Sequence, residues 1–151
     1  MRNPIFFFLA IAHATPAFAA GFSGHWTATT GTVSSNVGLH STCTQISIDI
    51  TEAPGQLTIS RYHSECSYFG SNWGPDVMTI KEGKVFEGED EVGTISDDTL
   101  LTVSQDGGAA YAFNLKLLKN ADGSETLQSY YGVRNSTGAI ATEANLTKAA
   151  R

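Results

Sequence analysis

The chain has 151 residues, is 41% hydrophobic and 16% charged, and carries a formal net charge of −6. That acidic balance excludes the basic surface a nucleic-acid interface needs, and it argues against adhesion to anionic lipid. The length suits one domain, and two cysteines suit one disulfide.

The N-terminus has the three parts of a secretory signal peptide: Arg2, the short apolar run Ile5 to Ile11, and Ala17-Phe18-Ala19. Residues 1–19 are therefore expected to be removed, leaving 20–151 as a single domain in the periplasm or outside the cell. The apolar run is too short for an anchor, and His13 and Pro16 interrupt its continuation. No later segment is long and apolar enough to span a bilayer, so no membrane insertion is expected after cleavage.

Beyond this leader the chain alternates β-rich runs with turn signals. The predicted strands are about 23–33, 41–53, 56–66, 76–82, 84–92, 93–97, 99–105, 109–119 and 125–134, with a last one near 139–148. Turns fall at Pro54-Gly55, Glu82-Gly83, Asp97-Asp98, Asp106-Gly107-Gly108, Asp122-Gly123 and Ser136-Thr137-Gly138.

Cys43 and Cys66 are equidistant from Pro54-Gly55. A hairpin with its tip there sets them opposite one another, and an exported chain would join them. Closing a loop of this length contributes on the order of 3 kcal/mol. The same register pairs Ile50 with Ile59, Ile48 with Arg61 and Ile46 with His63 on a mainly apolar face. Cys43, Cys66, Ser47 and Tyr62 then fall on the polar face, which makes the disulfide an external staple.

The turn at Asp122-Gly123 pairs Leu117 with Leu127, Leu115 with Ser129, Phe113 with Tyr131 and Tyr111 with Val133, with Gly123 in a left-handed bulge position. The next turn pairs Val133 with Ile140, Tyr131 with Thr142 and Leu127 with Leu146. Both registers turn the same residues inward. An all-β, antiparallel up-and-down meander results. Closing it into an eight- to ten-stranded barrel removes the exposed edges.

Phe22-Ser23-Gly24-His25-Trp26 places a G-x-W motif at the head of this meander. It resembles the opening of lipocalins and, more broadly, calycins. The resemblance implies that Trp26 closes the barrel's base against an arginine from the last strands, for which Arg134 is the candidate. The motif together with Cys43 and Cys66 also resembles lipocalin-like periplasmic inhibitors of secreted metalloproteases, whose N-terminal segment enters the protease cleft. Here only Ala20 to Ser23 precede the motif.

Arg61 and His63, on the apolar face, either anchor an anionic ligand at a barrel mouth, or lie at the barrel end in solvent, or mark a bulge that reverses parity. Tyr111 and Tyr131 face inward and either bind a ligand through their hydroxyls or fill the core. Ser67 to Pro75 is the longest irregular segment. It places Tyr68, Phe69 and Trp73 on a loop that either recognises a partner or covers one barrel end. The acidic run Glu87 to Glu91 lacks calcium-loop spacing and is expected to be a solvated strand end or turn. No hydrolase, zinc-protease or phosphate-loop motif is present, and no cofactor or metal is indicated. The reading is a non-enzymatic binding protein that holds a small apolar or anionic ligand in a barrel. The alternative is a module that binds or inhibits an exported hydrolase through the loop aromatics and the N-terminal segment.

Overall fold

A computed structural model describes residues 21–150. The expected signal peptide at 1–19 lies outside the described residues. Twelve β-segments form one antiparallel sheet: β1 (Gly24–Ala28), β2 (Gly31–Ser35), β3 (His40–Ala53), β4 (Gln56–Cys66), β5 (Gly70–Trp73), β6 (Asp76–Lys81), β7 (Lys84–Glu87), β8 (Asp90–Ile95), β9 (Thr99–Asp106), β10 (Ala109–Lys119), β11 (Glu125–Asn135) and β12 (Gly138–Lys148).

The expected first strand is broken at Thr29-Thr30, and its halves β1 and β2 each pair with both β3 and β12. This joint closes the sheet into a barrel. The segment expected to be irregular contains β5, which shares the free edge of β4 with β6. Ten strand positions result. The predicted fold class stands, at the upper end of the expected strand number.

The hairpins of β10, β11 and β12 have the registers expected from their turns. Leu117 faces Leu127, Phe113 faces Tyr131, and Tyr131 faces Thr142. Gly123 has φ of 83°, the left-handed conformation that glycine adopts without steric cost. At the β3–β4 tip Ala53 pairs with Gln56 and Gly55 has φ of 71°, which fits a type II turn with Pro54 ahead of the glycine.

One end of the barrel is closed. Phe22, Trp26, Leu57, Leu127 and Leu146 are all 0% exposed there. Trp Nε1 of residue 26 donates to the Phe22 carbonyl at 2.7 Å, and the Lys148 ammonium sits 5.0 Å from its ring centre. The cation over the tryptophan therefore comes from the last strand, as the resemblance implied, but it is Lys148. Arg134 is exposed near the opposite end of β11, where it pairs with Ala110 and Ala139. Gly24 makes room for this arrangement. A Cβ there would lie 2.6 Å from Lys148 Cε and 3.4 Å from Trp26 Nε1.

The disulfide is formed, with Cys43 opposite Cys66 and an S–S distance of 2.02 Å. Its orientation corrects the expected external staple. The register of β3 and β4 is the expected one at the tip, where Ile50 faces Ile59, and again at the cysteines. Between them it is shifted by one residue, because Ser60 bulges from β4 and Thr44 from β3. Each bulge reverses the facing of side chains beyond it. Cys43 is consequently 3% exposed and belongs to the hydrophobic core, with Cys66 packed against it.

Candidate functional site at the open end of the barrel

The Ser60 bulge decides which side chains of β4 enter the lumen. Tyr62 faces Ile48 and is 0% exposed, whereas Arg61 faces Asp49 on the outer surface. The expected inward position of Arg61 is thus corrected, through the parity reversal that was one of the three readings. His63 also points outward. Its Nε2 lies 3.3 Å from the Glu65 carboxylate, and its Nδ1 is buried without a hydrogen-bond partner.

Tyr62 joins Trp73, Phe113 and Tyr131 in one aromatic cluster. Tyr62 and Trp73 stack, with centroids 5.1 Å apart and planes 12° from parallel. Phe113 meets both edge-on, at 6.0 and 5.4 Å, and Tyr131 tilts against both, at 5.1 and 5.6 Å. Offset stacks and edge contacts suit the ring quadrupoles. Trp73 reaches this cluster because β5 pairs with β4, setting it opposite Tyr62. It is therefore not a loop residue. Of the other two expected loop aromatics, Phe69 packs against the core and Tyr68 remains 76% exposed.

The cluster stands below an open end. Tyr111, Tyr131, Val133 and Ile140 follow the inward face of their strands yet stay only half-buried. The polar atoms are the unusual part. Trp73 Nε1 is a buried donor without a hydrogen-bond partner, and the buried Tyr62 and Thr142 hydroxyls are neighbours of one another at longer than ordinary hydrogen-bond distance. Such groups carry a desolvation penalty that a partner would relieve. Burial pushes the Tyr62 phenol up to about 12, opposed by hydrogen bonding with the Ser64 hydroxyl, with Tyr131 adding to the rise and hydrogen bonding with the Thr142 hydroxyl opposing it. The Tyr131 phenol is also raised, by burial and then by Tyr111. Both tyrosines are hydroxyl donors at neutral pH.

Two carboxylates join the same wall. Asp76 pairs with the buried Ile59, and Glu87 stands two residues beyond the buried Val85. Burial raises the pKa of Asp76, opposed by a hydrogen bond from the Val77 backbone. Burial and then the Asp76 charge raise that of Glu87. Glu87 thus departs from the solvated run expected for 87–91. A carboxyl group whose folded pKa is raised stabilises the fold when protonated and loses that contribution as pH rises through the raised value. Asp76→Asn with Glu87→Gln is therefore expected to raise the melting temperature at pH 7, and the gain should vanish as pH falls through the carboxylate range. Thermal melts at pH 7 and pH 4 check this. A gain that persists at pH 4 would assign it to packing.

One concavity of about 960 Å³ runs along β9 to β12, β2 and β3, and a second of about 350 Å³ adjoins the open end, where Tyr111, Val133 and Ile140 line it together with Val103, Tyr130 and Arg134. The first contains the cross-strand row of Leu101, Asn114, Tyr130, Glu143 and Thr32. Among the described residues the open end combines convergent rings with a buried donor that lacks a partner, and we place the candidate site there.

No family model matches the chain, and no curated protein matches it. Among solved structures it is similar to the S-type phycobiliprotein lyase CPES from Guillardia theta, with 13% identity, coverage of 86% of this chain and 89% of that one, and a TM-score of 0.55. The likeness is one of fold alone, the closed antiparallel barrel. It also corrects the expectation of a non-enzyme. A lyase is built on this fold, so the missing hydrolase motifs do not argue against catalysis.

Tyr111 and Tyr131 could be read from hairpin parity alone. Tyr62, Asp76 and Glu87 could not. Tyr62 depends on the bulge at Ser60, Asp76 on the pairing of a short edge segment, and Glu87 sits inside an acidic run that otherwise looks exposed.

Proposed function

We propose that this chain is an exported binding barrel that seats a small, partly apolar ligand at its open end, against Tyr62, Trp73, Phe113 and Tyr131. The observation that carries this reading is the buried Trp73 Nε1 donor, without a partner among the rings of Tyr62, Phe113 and Tyr131 and beside the buried Tyr62 and Thr142 hydroxyls. A ligand that offered a hydrogen-bonding group to this donor would relieve the desolvation cost while burying its apolar body on the rings. Export is supported by the leader pattern at 1–19 and by the formed disulfide. Isothermal titration with 1-naphthalenemethanol as a neutral aromatic probe tests the site. The wild-type chain is expected to bind it, and Trp73→Ala to weaken binding about tenfold or more. Absence of binding, or binding indifferent to Trp73→Ala, would remove the basis for this site.

A second reading is recognition of a protein partner, such as an exported hydrolase, by the rim. Val37 and Tyr68 are each 76% exposed, on the β2–β3 and β4–β5 loops at this end. The chain entering the second loop is tied to β3 by the disulfide and by a hydrogen bond from Ser67 N–H to the Thr42 carbonyl. Exposed apolar side chains on an anchored loop suit recognition. Under this reading Tyr68→Ser abolishes partner capture and leaves naphthalenemethanol binding intact.

A further inference from the structure

We infer that the ligand taken at the open end is an organic cation, with its ammonium group held by Asp76 and Glu87 and its apolar body on the aromatic rings. This rests on the binding reading above and names the chemical class.

Residues directly opposite in an antiparallel pair share a face. Asp76 lies opposite Ile59, whose side chain is wholly buried, so it projects to the lumen side of β6. Glu87 follows Val85 by two residues and projects to the same side of the neighbouring β7. Trp73 precedes Asp76 by only Gly74 and Pro75 and presents its ring to the lumen. Acidic side chains and aromatic faces therefore converge on one wall.

Nothing basic answers them. Every Lys and Arg among the described residues is exposed. Arg61 faces Asp49, Lys84 pairs with Glu91, Lys81 lies over Phe86, and Lys148 lies over Trp26. Asp76 and Glu87 form no ion pair among the described residues. Two half-buried carboxylates on one wall, the Asp76 charge opposing ionisation of Glu87 and no counter-charge near either, favour a positive guest and disfavour a negative one. Aromatic faces act in the same direction, since their quadrupoles attract cations. The apolar rings beside the carboxylates suit an organic ammonium, whose body they would cover, better than a hydrated metal ion. Trp73 Nε1, a buried donor without a partner three residues before Asp76, is the independent sign that this wall takes a guest. The charge on this wall is opposite to the one expected from Arg61.

A charge series on one ring tests the inference by isothermal titration at pH 7: 1-naphthylmethylamine, 1-naphthalenemethanol and 1-naphthoic acid. The amine should bind the wild-type chain about tenfold or more tightly than the alcohol, and the acid most weakly. In Asp76→Asn with Glu87→Gln the amine should fall to the affinity of the alcohol, whose own affinity should not change. If the double variant does not melt cooperatively, Glu87→Gln alone should reduce the amine's advantage. Equal binding of amine and alcohol, or tighter binding of the acid, overturns the cation and leaves the aromatic site standing. Failure of all three probes to bind overturns both.

Discussion

Trp26→Ala is expected to destabilise the chain by about 3–5 kcal/mol, the range for removing a large aromatic side chain from a packed core. Trp26 is 0% exposed and closes the barrel end together with Phe22. Alanine would leave a cavity, strip the Phe22 carbonyl of its indole donor and leave Lys148 without the ring beneath it. These losses fall where β1 pairs with both β3 and β12, and so at the joint that closes the sheet. Trp26→Phe keeps a ring under the lysine but not the donor, and should cost far less. Denaturant unfolding checks the pair. The midpoint should drop sharply for alanine with little change in slope. A loss below about 1 kcal/mol, within the reach of ordinary surface changes, would mean that Trp26 does not close the barrel.

Replacing both cysteines with alanine is expected to cost about 3–5 kcal/mol and to lower the melting temperature by about 10 °C or more. Loop closure over a sequence separation of 23 residues accounts for about 3 kcal/mol. The inward position of Cys43 adds the loss of packed sulfur from the core. An external staple would lack this second contribution. Comparing the double alanine variant with the reduced wild-type chain separates the two parts, because reduction opens the loop but keeps the sulfur atoms in place. Equal stability of the two would show that the sulfur contributes nothing by packing.

The β10–β12 region was legible because each hairpin there carries a turn with a definite residue count and strands that alternate without interruption. The positions of Tyr111 and Tyr131 followed from this. The β3–β4 hairpin had an equally clear tip and a matching cysteine pair, yet the facing of its middle was misread. Two bulges on opposite strands cancel in the overall count, so the disulfide and the tip agree with an unbroken register that the intervening residues do not follow. An unbroken register sets Ile48 and Ile46 opposite Arg61 and His63, whereas the bulged strands set them opposite Tyr62 and Ser64. The cost of burying an unpaired arginine was the available hint, since a parity reversal exposes Arg61 and buries an aromatic ring in its place.

The sequence by itself determined the strand-and-turn succession apart from β5 and the break in the first strand, the cysteine partners and the inward face of the last three strands, because these depend on local turn chemistry and on two-residue periodicity. Tertiary structure alone decided that the disulfide lies in the core, that Tyr62 enters the lumen in place of Arg61, and that Trp73, Asp76 and Glu87 meet on one wall. A bulge leaves little mark on the strand that bears it. Its place depends on how neighbouring strands coil to close a barrel, and that coiling is a property of the whole sheet.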